Sequence, residues 1–445
     1  MNQQLQERLA PNLGALGRWA AVAVALAAGS SLVSPAAARV WLILPDGSGD
    51  APTIQAGVDS AAVGDTVLVA AGTYDDLHMD AFAEYSVVEM QSGVVLRSQS
   101  GPEDTIIDAA SSQPSRGILC VACDGSTVID GFTITGGDTY FGAGIYISSG
   151  APVIENNAFL DAYGGTGGAL MITNAAAPRV TANLFLDNVA CCGPGGAILV
   201  DAGAQPELIE NVFRGSEGFQ GGAVAVQNAG ATIVGNSFED NSGTSGGALM
   251  LWSAAGEVRG NTFEGNQASS SGGAVTFRTS NNVSFEQNIL VGNSASGGGG
   301  AILLDDSSPE ILLSTLAHNV ALDGGGIKMT GPAAPLISQT LIAWNEGQGQ
   351  VHCQTISAPV FTCCDVFGEV QPFYDGGCED PTGQNGNIAL DPLFCGPQSV
   401  ELQECSPCVD GLGCGQMGAL GAGCDCELPT ATRRMTWGKV KQRHR

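Results

Sequence analysis

The chain has 445 residues, with 16 Lys and Arg against 44 Asp and Glu, giving a net charge of −28. A surface this acidic repels nucleic acid and anionic lipid, and would repel polyuronic acids unless cations intervened. Solubility is the first reason for such acidity. Calcium is the rival reason, but the Gly-Gly-x-Gly-x-Asp nonapeptide of calcium-binding solenoids is absent, so no cofactor is expected.

Residues 1–38 read as a signal peptide. Arg8 and Arg18 supply the charged part, residues 19–28 an apolar run, and Ala36-Ala37-Ala38 a small-residue cleavage site. The run is too short for a membrane span, and no later segment replaces it. The expectation is a secreted or cell-surface protein of a bacterium, with the periplasm as the other compartment. About 400 mature residues would ordinarily divide into two or three domains, but one solenoid can absorb that length.

Residues 39–63 are expected to form an N-terminal cap. Residues 53–62 (Thr-Ile-Gln-Ala-Gly-Val-Asp-Ser-Ala-Ala) read as a short helix, followed by Gly64-Asp65-Thr66-Val67-Leu68-Val69 and Ala71-Gly72-Thr73-Tyr74. This entry resembles the N-terminal cap of pectin-lyase-like β-helices, in which a helix covers the open strand edges of the first coil. Just beyond it, Asp76-x-His78-x-Asp80 would project three possible metal ligands from one strand face. No fourth ligand is visible, and an exposed polar strand is the simpler reading. Irregular coils around Val94-Leu96, Ile118-Cys120 and Val128-Ile134 lead into a regular region.

Between 142 and 349 a Gly-Gly-Ala-aliphatic phrase occurs eight times, from Gly142-Ala143-Gly144-Ile145 to Gly324-Gly325-Gly326-Ile327, at spacings of 25 to 28 residues. A fixed period in this range means stacked supersecondary units. Each phrase opens a run of period-two alternation, such as Val224-Ala225-Val226, and leaves no room for an amphipathic helix. Helical and leucine-rich arrays are therefore disfavoured, and the expected fold is all-β, a right-handed parallel β-helix of about 11 coils over residues 64–349.

A second strand follows, with inward Ile154, Val180, Leu208, Ile233, Val258 and Phe285. Asparagines come next at 157, 183, 211, 236, 261 and 288, and two residues beyond each lies an inward Phe or Leu. Stacked coils would place these amides over one another, bonding along the axis. A second column, Asn188, Asn241, Asn266, Asn293, Asn319 and Asn345, would do the same at another corner. Ligand binding is the functional alternative for both columns, but regular recurrence beside an inward side chain favours scaffold.

Gly-Gly-Ala-Ile/Leu/Val together with Phe-x-x-Asn, as in Phe185-Leu186-Asp187-Asn188 and Phe238-Glu239-Asp240-Asn241, resembles the repeat of polymorphic outer-membrane proteins. The resemblance covers residues 142–349 and implies a right-handed parallel β-helix with a surface, adhesive role. No train of alternating amphipathic strands follows the repeats, so the membrane barrel of that family is not expected.

Ten of the 14 cysteines fall within residues 350–426. In an exported chain they are expected to staple a C-terminal cap over the last coil. Zinc at Cys405-x-x-Cys408 is the rival, though the spacing to Cys414 and Cys424 fits no standard knuckle. Residues 427–445 form a basic tail around Trp437-Gly438, either disordered or a sorting tag.

Chemistry is sparse. Arg278 and Asp305 occupy equivalent positions on adjacent coils, with Asp306 next to one and Lys328 a coil beyond; this is a lyase-like group or an exposed ion-pair ladder. On the first strand of each coil, Tyr146, Met171, Leu199 and Met250 should point outward beside Trp252, forming an apolar stripe for contact with a glycan or surface protein. A segment folded over the stripe would remove it. The leading expectation is a non-catalytic, structural or adhesive protein. A polysaccharide lyase or glycoside hydrolase using Arg278, Asp305 and Asp306 is the alternative.

Overall fold

The computed structural model describes residues 37–426 apart from 370, 397–398 and 411–412; the expected basic tail, and all but Ala37 and Ala38 of the expected signal peptide, lie outside them. Each regular coil has four short strands, as in Ile145–Gly150, Val153–Glu155, Ala158–Leu160 and Tyr163–Thr166. Stacking of successive coils turns these into four parallel ladders, here called first to fourth in that order. The second ladder contains 13 strands, more than the roughly 11 coils expected from the phrase count. The difference arises at both ends. Val40–Ile43 pairs in register with Thr66–Val69, and Val360–Thr362 extends the ladder within the cysteine-rich segment. Both strands keep period-two alternation without a glycine pair, so a motif count misses them.

Helix α1 (Ile54–Ser60) starts where the Thr53 hydroxyl accepts from the Ala56 amide at 3.1 Å, satisfying a donor that the first turn leaves free. Its Ile54 and Val58 are buried in the core, and the helix packs on the first strands as the cap requires.

Inside the coils the inward columns stack like with like. Phe159, Phe185, Phe213, Phe238 and Phe263 are fully buried, with ring centroids 4.6 to 4.8 Å apart and nearly parallel planes. This spacing is the rung repeat of about 4.8 Å between paired strands. The asparagines are scaffold. Asn236 Nδ2 donates to Leu208 O at 2.8 Å and to Asn261 Oδ1 at 3.0 Å, and the same oxygen accepts from the Asn236 amide. Asn241, Asn266 and Asn293 repeat the pattern at the second corner, and Gln350 closes that column by accepting from Asn345.

The C-terminal segment is joined by Cys353–Cys378, Cys363–Cys414, Cys395–Cys424 and Cys405–Cys426. Cys405 therefore sits in a disulfide with Cys426, and its neighbour in the Cys405-x-x-Cys408 pair, Cys408, is a buried free thiol. The lobe also leans on the flank of the solenoid. Leu341 and Ala343 of the third ladder share a buried cluster with Ile388, Leu402 and Met417, and the Ala419 amide donates to Thr315 Oγ1 at 2.9 Å.

Candidate functional site

The apolar stripe expected on the outside of the first ladder is covered. Met171, Leu199, Ala225 and Met250 form a separate cluster with at most 7% exposure, and Tyr146 packs against it. They do lie outside the main core, but the glycine-pair turns pass over them. A Cβ added at Gly142, Gly167 or Gly221 would stand 3.1 Å from the Cβ of Met171, Leu199 or Met250. Glycine there permits the turn to close down on the stripe, and at φ of 54 to 66° it is also the residue that adopts the conformation without strain. The stripe offers no contact surface.

Trp252 remains 39% exposed. It stands in register with Arg278, Asp305 and Thr330 on successive coils. The Arg278 guanidinium lies 5.7 Å from the Trp252 ring, and its Nε donates to Asp305 Oδ2 at 3.0 Å. Asp305 Oδ1 accepts from Thr330 at 2.8 Å. Lys328 turns away to Asp323 at 3.0 Å, and Asp306 is exposed on its own corner with φ 49°. The group expected to converge is thus two separate ion pairs, each partner already occupied.

Asp76, His78 and Asp80 do not converge either. Asp76 is exposed, whereas Asp80 is buried 3.3 Å from the guanidinium of Arg116. Arg116 also pairs with Glu84 and reaches the Phe141 carbonyl at 3.3 Å, so it ties the hairpin of His78–Met79 and Tyr85–Glu89 to the first ladder. Among the described residues no three His, Cys, Asp or Glu side chains are grouped to hold a metal ion.

A long concavity runs along the fourth ladder, parallel to the solenoid axis. It has a volume of about 590 Å³ and spans coils from Val189 to Val320. Its floor follows from residue size. The second residue of each fourth-ladder strand forms this floor and is Gly164, Ala190, Gly218, Gly243, Ala268, Ala295 or Ala321. Little room exists behind it: a Cβ on Gly218 would lie 2.7 Å from the Gly196 amide nitrogen. Residues on either side line the channel with hydroxyls and amides, including Ser242, Thr244, Gln267, Ser269, Ser294 and Ser296. Glu217 is the single carboxylate among the lining residues, and Phe219, 58% exposed, supplies a ring.

Next to Phe219 the rim carries the exposed adjacent disulfide Cys191–Cys192, and one coil earlier the Tyr140 ring lies across Gly165, where a Cβ would stand 2.5 Å from it. This groove was not read from the sequence, although a signal exists. Two residues after every member of the second asparagine column comes Gly or Ala, as in Asn188/Ala190, Asn241/Gly243 and Asn293/Ala295.

Residues 194–334 match a family model described as a right handed beta helix region. The chain is accordingly an all-β, right-handed parallel β-solenoid protein with an axial polar groove. Among solved structures it is similar to the catalytic unit of a thermostable GH87 alpha-1,3-glucanase from Streptomyces thermodiastaticus, at 13% identity over 72% of this chain and 64% of that one, TM-score 0.42. It thus spans under two thirds of that glucanase unit. It is also similar to the A-module of the Azotobacter vinelandii mannuronan C-5 epimerase AlgE6, at 15% identity over 76% and 95% of the two chains, TM-score 0.41. A third similarity is to the tailspike protein of E. coli bacteriophage HK620, at 12% identity over 76% and 73%, TM-score 0.34. No curated protein sequence matches the chain.

Proposed function

We propose that the protein is an exported, non-catalytic β-helix that binds a glycan along its fourth-ladder groove and serves in surface structure or adhesion. The observation that carries this reading is the groove itself. It is open, runs along the axis, and in three successive coils presents a pair of hydroxyl or amide side chains, Ser242/Thr244, Gln267/Ser269 and Ser294/Ser296, at a repeat of about 4.8 Å. Such a surface suits an extended polymer whose own units recur, and the exposed Phe219 ring offers a face on which a sugar can stack. One carboxylate in the lining falls short of the pair an acid hydrolase requires. Arg278 and Asp305, the lyase-like alternative, neutralise one another away from this lining.

Six disulfides accord with an oxidising compartment. No helix among the described residues is long and apolar enough to cross a membrane. The resemblance of the repeats to polymorphic outer-membrane proteins points the same way, toward the cell surface.

A glycan array and an unsaturated-uronate release assay on residues 39–445 test the reading. Binding without turnover, weakened about tenfold by Phe219→Ala, is the expected result. Turnover that disappears in Arg278→Ala would replace it with the enzyme alternative.

A further inference from the structure

At the corner between the third and fourth ladders one residue per coil adopts positive φ. In successive coils it is Asp161, Asp187, Gly215, Asp240, Gly265 and Gly292, then His318 and Trp344, both at φ 57°. Glycine takes this conformation freely and aspartate and histidine tolerate it, but an indole there is strained by about 1 kcal/mol or more. Strain of this kind concentrates where a side chain is needed in one place. Two consecutive coils depart from the Asp or Gly of the others, and both side chains line one cavity.

That cavity has a volume of about 470 Å³ and is lined by His318, Trp344, Asn345, Glu346, Gly347 and Glu369. His318 and Trp344 also wall a second hollow that contains Asp391 and Phe394 of the C-terminal lobe. The two residues are on adjacent rungs, with the His318 amide donating to the Ala343 carbonyl at 3.3 Å. Trp344 is braced edge-on by Phe367 at 5.0 Å. His318 Nε2 is buried without a hydrogen-bond partner. Burial pushes the imidazole below its ordinary range, against the opposing charge of Glu346.

Three carboxylates and no Lys or Arg face these two hollows. A cation therefore meets favourable charge from Glu346 and Glu369 and an aromatic ring at Trp344, whereas an anion is repelled. The hollow also continues the groove: Glu346 pairs in register with Val320, the groove's last lining residue. We propose that this pocket receives the protonated amino group of an amino sugar belonging to the glycan held in the groove. Glu346 and Glu369 accept the ammonium hydrogens, the Trp344 ring covers the cation, and His318 Nε2 bonds a sugar hydroxyl. The inference rests on the glycan reading and adds the class of sugar.

Calorimetric titration with a glucosamine hexamer and its fully N-acetylated counterpart tests it, the hexamer being long enough to cover the five rungs, about 24 Å, from Glu346 to Glu217. The expected result is a preference of about tenfold for the amine form that Glu346→Gln abolishes. His318→Gly restores the residue of other coils and is expected to weaken binding while Tm holds or rises, a result a merely structural histidine would not produce. Equal binding of the two hexamers, or a preference untouched by Glu346→Gln, overturns the proposal. If binding still depends on Phe219 in that case, the groove reading stands alone. An amine preference that survives with no dependence on Phe219 supports the pocket and overturns the groove.

Discussion

The thiol of Cys408 donates to Oδ2 of Asp365 at 3.0 Å, and this contact fastens the disulfide lobe to the last strand of the third ladder. The other oxygen, Oδ1, accepts from the Leu390 amide at 3.1 Å. Two separated parts of the lobe thus hold one carboxyl that has no exposed surface. Burial pushes its pKa up to about 6.

A stability slope follows from that shift. Between the usual carboxylate range near 4 and the folded value of about 6, the unfolded chain has already lost the proton that the folded chain retains. Fewer protons bound in the unfolded state means that stability falls as pH rises through this window, by roughly 3 kcal/mol for this group. Asp365→Asn is expected to flatten that component. Thermal unfolding of both proteins at pH 4, 5, 6 and 7 checks it, because their difference cancels the many other carboxylates.

Interrupting an asparagine column in its middle should be costly, because the amides are buried. Asn236→Ala leaves the Leu208 carbonyl and the Asn211 amide and side chain without their buried partner. Each unmade bond costs about 1–3 kcal/mol, so a total of at least ~3 kcal/mol is expected. Urea denaturation midpoints would register it, and a change below about 1 kcal/mol would contradict the ladder's role.

Two arginines make a contrast. Arg116 is 2% exposed between Asp80 and Glu84, with its guanidinium 5.2 Å from the Tyr146 ring. Arg116→Ala strands buried charge and is expected to destabilise by about 3–5 kcal/mol. Arg278 is about one-third exposed, as is its partner Asp305, so Arg278→Ala should change stability by less than about 1 kcal/mol. Chemical denaturation of both variants measures the difference, and glycan binding should be unaffected by the second.

The sheet pairing was legible because it is encoded locally. Alternation placed Ile154, Val180 and Leu208 inward, and recurrence placed Asn236 over Asn261, both of which depend only on spacing along the chain. Coil number was less legible, since the terminal strands Val40–Ile43 and Val360–Thr362 lack the glycine phrase. The outward columns were the least legible. Whether Met250 is exposed depends on the Gly221-Gly222 turn of the neighbouring coil, and whether Leu341 is exposed depends on Met417, 76 positions later.

By itself, then, the sequence determined the β-helix, its inward stacks and its oxidised cysteines, because each rests on period, side-chain size or cysteine number. Only the tertiary structure decided which faces are open. It closed the apolar stripe, divided Arg278 from Lys328, and brought His318, Trp344, Glu346 and Glu369 around one hollow. The physical reason is that a β-solenoid's outside is set by what neighbouring coils and the terminal lobe lay across it, and no single repeat carries that information.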